Sequence, residues 1–240
     1  MNYSSYIKNS YHITYSIIRY NLKIIFANNF WYFLLAAFMI FLIITVITLF
    51  NTQSNPTEAT GYWLLLVPGI LLIFYPTTFG IQNDVDARMI EILFGIPNYR
   101  YKVWLVRLFL IYIVTFIIIL LLTGVYSLVL KEVPILMMVF HLMFPIVFMG
   151  SLAFMFSTII RSGNGTAIIM VIIGIAFWIA KGQIGSTEWY IFINPYDMPN
   201  DANEVVWAET IFNNRIYLLA GIIIAVLYGL LNLQKREGFI

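Results

Sequence analysis

The chain has 240 residues, of which 62% are hydrophobic and 10% charged, with a formal net charge of +2, two histidines and no cysteine. A soluble domain carries about 25% charged residues, so this composition leaves too little polar surface for water and calls for lipid as the solvent. The small net charge and the lack of any Lys/Arg-rich run exclude a nucleic-acid binder, and the missing cysteines exclude disulfides, thiolate metal sites and cysteine nucleophiles.

Residues 1–29 form a polar, tyrosine-rich leader with no evident cleavable signal. Lys8, His12, Ser16, Arg19 and Lys23 share one helical face, and Ile13, Ile17, Tyr20 and Ile24 share another. That pattern predicts an N-terminal amphipathic helix lying in the headgroup layer. Residues 30–240 read as one transmembrane domain, because a helix needs about 20 apolar residues to cross a bilayer core. The first span, 30–50, has no charge, and a polar loop, 51–60, follows it. The second span, 62–81, contains Pro68 and Pro76, which predict a kink or local unwinding. The third covers 105–130 and a tight turn at 131–134 leads to the fourth, 135–160, which contains Pro145. A polar turn at 161–165 precedes a shorter fifth span, 166–180, with Lys181 placed to snorkel. The sixth span is 216–233. The expected fold is therefore all-α and polytopic, with six transmembrane helices.

Orientation follows from the basic residues, which collect on the cytosolic side. Lys8, Arg19, Lys23, Arg88, Arg100, Lys102, Arg107, Arg161, Lys235 and Arg236 fall on the face that carries both termini, and only Lys131, Lys181 and Arg215 fall on the other. Both termini are expected in the cytosol.

The segment 82–101 has its own pattern. Asn83 or Asp84 suits a helix N-cap, and Val85, Met89, Ile92, Leu93 and Ile96 form an apolar stripe. Asp84, Arg88 and Glu91 lie opposite that stripe, with Asp84 and Arg88 spaced to pair at i,i+4. Gly95 and Pro97 close the helix, and Arg100, Lys102 and Arg107 follow. The pattern predicts a short helix across the cytosolic surface, its charged face toward water. A solvated loop with basic anchors is the plainer alternative.

The stretch from Ala87 to Arg100, ARMIEILFGIPNYR, placed before a long span, resembles the type-2 ABC transporter permease family. That family often has a Glu, aliphatics, then a Pro and a basic residue between its second and third spans. Glu91, Leu93, Pro97 and Arg100 stand at those places, although Met89-Ile90 replaces the family's frequent Gly-Thr pair. The six-span plan with an amphipathic leader agrees over nearly the whole chain. The resemblance implies a permease subunit in the cell's inner membrane, paired with a second copy or a paralogue and docked on a separate cytosolic ABC ATPase that binds ATP and Mg. It makes 82–101 a cytosolic coupling helix, with Asp84, Arg88, Glu91, Pro97 and Arg100 as contacts to that ATPase. It also implies export, and the sparse intramembrane charge favours a hydrophobic or amphiphilic cargo.

The remaining features are weaker. The chain has no G-x-x-x-x-G-K-[ST] phosphate loop, no metal-ligand cluster and no catalytic constellation. His141, some six residues inside the fourth span, reads as a neutral imidazole bonded to a neighbouring helix, since no acid sits within a span to make a proton relay. Ser151 lies in the same helix as His141, about 15 Å further along, too far for a nucleophile and its base. The outer segment 182–214 mixes Trp189, Tyr190, Phe192, Tyr196 and Trp207 with five acids. It predicts short interfacial helices, with a turn at 194–197. Two other classes stay open: a non-transporting scaffold that recruits a cytosolic partner, and an ion-coupled secondary transporter, which usually needs buried carboxylates or broken helices at the midplane.

Overall fold

The computed structural model describes residues 19, 30–50, 56–86, 100–200 and 202–233, with backbone alone at 100–102. The leader, apart from residue 19, and the segment 87–99 lie outside the described residues. So do the two interfacial helices expected there.

Six helices are long and apolar enough to cross a membrane. They are α1 (Phe30–Phe50), α2 (Glu58–Asp86), α3 (Val106–Val129), α4 (Ile135–Ile160), α5 (Gly163–Ile184) and α6 (Glu204–Asn232), with a turn of π-helix, Arg100–Leu105, leading into α3. No strand occurs among the described residues. The protein is an all-α, multi-pass membrane protein.

Several helices outrun the apolar stretches that predict them, and the cause is local hydrogen bonding. The Thr57 hydroxyl accepts from the Thr60 amide at 3.1 Å, so α2 starts at Glu58 rather than near residue 62. At its far end Gln82, Asn83 and Asp84 do not cap a new helix; they continue α2 to Asp86. Each finds a partner: Gln82 Oε1 accepts from the Gly163 amide at 2.6 Å, Asn83 Nδ2 donates to the Tyr75 hydroxyl at 3.3 Å, and Asp84 meets Arg107. Ser162 caps α5, whose first residue is Gly163 rather than Thr166. Asn203 Oδ1 accepts from the Val205 amide, so α6 begins at Glu204, three turns before the apolar run at 216. The helix of α2 is unbroken through Pro68 and Pro76, as is α4 through Pro145.

The cross-helix bonds define two ends of the bundle. Gln82, Asp84, Arg107 and Gly163 meet at one end, where Asn232 Nδ2 also donates to the Thr158 carbonyl. The other end holds Thr57, Ala59 and the connection 185–203, through Tyr126 OH to the Thr57 carbonyl and Asn194 Nδ2 to the Ala59 carbonyl. These are called the Asp84 end and the Asn194 end.

The core is the pair α2 and α4, with α6, α3 and α1 packed around it. Helix–helix packing in lipid depends on close approach at small residues. A methyl added at Gly150 would meet Ile73 Cδ1 at 2.5 Å, and one at Gly69 would run into Ile146 Cδ1. Each helix thus seats an isoleucine over the other's glycine. Gly150→Leu is expected to lower stability by about 1–3 kcal/mol, read as an earlier midpoint in a denaturing-detergent titration. An unchanged midpoint would mean that the two helices do not touch there.

The periphery is different. Only 17% of the most apolar window of α1 and 6% of that of α5 is buried. In α1 the covered stripe is Ala37, Phe41 and Thr45, at i, i+4 and i+8. In α5 it is confined to Gly163, Thr166 and Met170, so the remaining four turns project Ile172, Ile175, Trp178 and Ile179 outward.

Candidate functional site

Two places bring chemistry-bearing side chains together, one at each end. At the Asp84 end, Asp84 in the last turns of α2 and Arg107 in the first turn of α3 form an ion pair at 2.7 Å, and they are 3% and 4% exposed. The guanidinium also lies 4.6 Å from the ring centroid of Trp104. Trp104 is buried in a cluster with Ile81, Leu108, Phe154, Leu230 and Leu233, so α2, α3, α4 and α6 all meet around the π-turn.

This geometry revises two expectations. Asp84 does not sit on a water-facing surface; its carboxylate is turned inward to Arg107. An acid does lie inside a span-forming helix, but it is already paired. Arg88, Glu91 and Pro97 lie outside the described residues, and Arg100 is described only as backbone at the start of the π-turn.

At the Asn194 end the described residues of the connection 185–203 contain no helix, contrary to the expected interfacial helices. Residues Tyr190 to Asn194 are buried, and Tyr190, Phe192 and Trp207 pack into the bundle, while Trp189 stays 63% exposed and stacks on Tyr217. Backbone polar groups placed this deep must be satisfied. Asn214 Nδ2 donates to the Glu188 and Tyr190 carbonyls at 2.8 and 3.0 Å, and Trp207 Nε1 donates to the Pro195 carbonyl at 3.1 Å. Asn194 Oδ1 accepts from the Tyr196 amide at 3.0 Å, which makes the turn expected at 194–197.

Between α4, α6 and this connection lies a cavity of about 700 Å³. Met137, Phe140, Phe144, Phe212, Ile216 and Leu219 give it an apolar wall. Its polar groups are few: Arg215, His141, Tyr196 and Glu204. Arg215 is 6% exposed. Its Nη1 donates to Asn214 Oδ1 at 2.8 Å, its face lies 5.5 Å from the Phe144 ring centroid, and the buried Tyr62 hydroxyl lies against it, while Nε and Nη2 make no well-aligned hydrogen bond. Among the described residues no carboxylate pairs with it; the one buried ion pair is Asp84–Arg107.

His141 is not hydrogen-bonded to a neighbouring helix through Nδ1, which is buried without a partner. The imidazole instead packs edge-on against Tyr196, with centroids 6.1 Å apart. The Tyr196 hydroxyl is likewise buried and unpartnered. Pro145 has no amide hydrogen, so the His141 carbonyl also lacks its intrahelical donor. Ser151 is bonded to the Tyr112 hydroxyl at 2.7 Å and the Val147 carbonyl at 2.8 Å, a link between α3 and α4.

Sequence reasoning missed Arg215. It stood only as one of three basic residues on the less basic face. The usable signal was an arginine at the edge of an apolar run with no acid at i±3 or i±4. Comparison with protein-family models, curated proteins and solved structures finds no match.

Proposed function

We propose that the chain is the permease subunit of a type-2 ABC transporter, moving a hydrophobic or amphiphilic substrate with energy from a separate ATPase. The observation that carries this reading is the bracket around 87–99. That segment holds the family-like run of Glu91, Leu93, Pro97 and Arg100. It leaves α2 at Asp86 and re-enters α3 through the π-turn, and its two ends are tied by Asp84–Arg107 and by the buried Trp104. A displacement of the segment is therefore transmitted to α2 and α3 together, and through Phe154 to α4.

The charge count supports the direction of this coupling. Ten of the 13 basic residues belong to the Asp84 end or the termini, which supports a cytosolic Asp84 end, where an ATPase could reach it. On this reading α1 begins and α6 ends at the cytosolic end, with both termini in the cytosol and the chain in the cell's inner membrane. ATP and Mg are held by the partner ATPase, and a second permease copy or a paralogue completes the pathway.

The test is a pull-down of the tagged chain from its native membrane, with an ATPase assay on what accompanies it. A stoichiometric nucleotide-binding subunit is expected, lost on Arg88→Glu with Glu91→Lys. Asp84 is left intact, because its substitution would disturb the bundle itself. A subunit that survives the double change removes Arg88 and Glu91 as contacts. Absence of any ATPase under gentle extraction sinks the transporter reading and favours a membrane scaffold.

A further inference from the structure

We infer that the cavity between α4 and α6 is a binding site for a single-chain acidic amphiphile, its carboxylate held by Arg215 and its chain by the phenylalanine-lined wall. On the transporter reading this is where the cargo's acidic end is held; the binding itself does not depend on that reading.

The argument starts from the guanidinium. A buried charge is costly unless it is paired and hydrogen-bonded. Arg215 is 6% exposed and makes one side-chain bond, through Nη1 to Asn214. The two nitrogens left without a well-aligned hydrogen bond are Nε and Nη2. These are the two whose hydrogens point the same way along one edge of the planar group. That edge is the side-on fork that takes both oxygens of a carboxylate or phosphate. The buried Tyr62 hydroxyl also lies against this guanidinium, but it is neutral, so among the described residues no protein anion compensates the charge. Tyr196 OH and His141 Nδ1 are also buried and unpartnered on the same cavity.

Among the described residues no carboxylate pairs with the guanidinium; Glu209 stands six positions before Arg215 on α6, about 9 Å along the axis, and Glu58 is close enough to act on Tyr196. Glu204 is the acid of the lining, in the exposed first turn of α6. Eleven residues separate it from Arg215, about 16 Å along the axis, and no bond joins them. An anion at Arg215 therefore meets a fixed positive charge and neutral donors, with the acid held off at the rim.

The rest of the ligand follows from the wall and its opening. Met137, Phe140 and Phe212 line the cavity and are also 53%, 54% and 64% exposed. In a membrane these exposed apolar edges face lipid, so the cavity opens sideways into the leaflet. Arg215 lies one residue before the apolar run that starts at Ile216, at headgroup depth, and Phe144, Ile216 and Leu219 continue toward the midplane. A ligand that enters from the leaflet with an anion at headgroup depth and a chain below it is an acidic amphiphile. A volume of about 700 Å³ is in the range of one small-molecule ligand, which favours one chain over a two-chain phospholipid.

The test uses the full chain in nanodiscs of phosphatidylcholine. Dansyl-labelled undecanoic acid serves as the fluorescent probe, with palmitate and hexadecanol as competitors. Palmitate is expected to displace the probe at a concentration about tenfold or more below that of hexadecanol, since only the acid engages the fork. Arg215→Met should bring the two competitors together while leaving the unfolding midpoint unchanged or raised, because an unpaired buried charge is removed. Arg215→Lys should keep a reduced preference for the acid. Equal displacement by acid and alcohol in the unaltered protein overturns the inference, whatever the variants do. So does an acid preference that survives Arg215→Met, or a failure to bind the probe. Displacement by phosphatidylglycerol built into the nanodisc overturns the single-chain assignment in favour of a bilayer phospholipid. No ATPase is present, so a failed pull-down and a failed displacement count against different claims.

Discussion

Arg107→Leu is expected to destabilise the bundle by about 3–5 kcal/mol, the usual loss when one partner of a buried ion pair is removed. The reason is the charge left behind. Asp84 is 3% exposed, and its one ionic partner among the described residues is Arg107. Without the guanidinium the carboxylate is stranded, or is protonated and still short of a donor. The stacking of Arg107 over Trp104 is lost as well. Asp84→Leu should cost a similar amount for the mirror-image reason. The double change Asp84→Leu with Arg107→Leu should recover most of the loss, because replacing a buried pair with apolar groups is often neutral or better. Detergent-titration midpoints of the three variants check this. If the double variant is as unstable as the singles added together, the residues do not act as a pair. On the transporter proposal the double variant also separates folding from coupling: it should be stable, yet should stimulate the proposed partner ATPase poorly, since the tie between α2 and α3 is gone.

Asn214→Leu is expected to loosen the connection 185–203 and to lower stability by about 2–4 kcal/mol. One amide nitrogen serves two carbonyls, those of Glu188 and Tyr190, and the side-chain oxygen holds Arg215 Nη1. Each buried group left unsatisfied costs about 1–3 kcal/mol. Residue 214 is 1% exposed, so water does not replace the lost donor cheaply. The check is limited proteolysis across 185–203, with cleavage expected many times faster than in the unaltered chain. Unchanged protection would show that the buried aromatics alone hold the segment. Asn194→Ala should do less, since it removes one long-range bond, to the Ala59 carbonyl.

The fold class was legible because lipid imposes a coarse rule, about 20 apolar residues for each crossing, and six runs obey it. Where pattern falls short of the structure, polar residues that suit a new N-cap extend the preceding helix instead. Gln82, Asn83 and Asp84 lower the local hydropathy, but their partners Gly163, Tyr75 and Arg107 keep α2 going to Asp86. Gly163 and Arg107 stand 81 and 23 positions away in the chain, on other helices, and no wheel of this helix contains them. A wheel of the segment 82–101 alone could not show that the Asp84 carboxylate turns inward to Arg107. The aromatic-rich stretch after α5 failed for a related reason. Its composition suits an interfacial belt, but Asn194 and Asn214 satisfy its backbone and draw Tyr190, Ile191, Phe192 and Ile193 inside. Arg215 was hidden because a charge count records sign and side, not the absence of a partner.

The long reach of these bonds sets an order of events during synthesis. Asp84 and Arg107 are separated by 23 positions. At 5–20 residues per second the arginine follows the aspartate by about 1–5 s, so the Asp84 end closes early. Asn194 and Ala59 are separated by 135 positions, about 7–27 s at the same rate. Through that interval the first turn of α2 waits without the segment that covers it. The cavity beside Arg215 comes into being last, when α6 has been delivered to the bilayer. A chain stalled before α6 would hold four or five spans and a tied Asp84 end, but no site for a ligand.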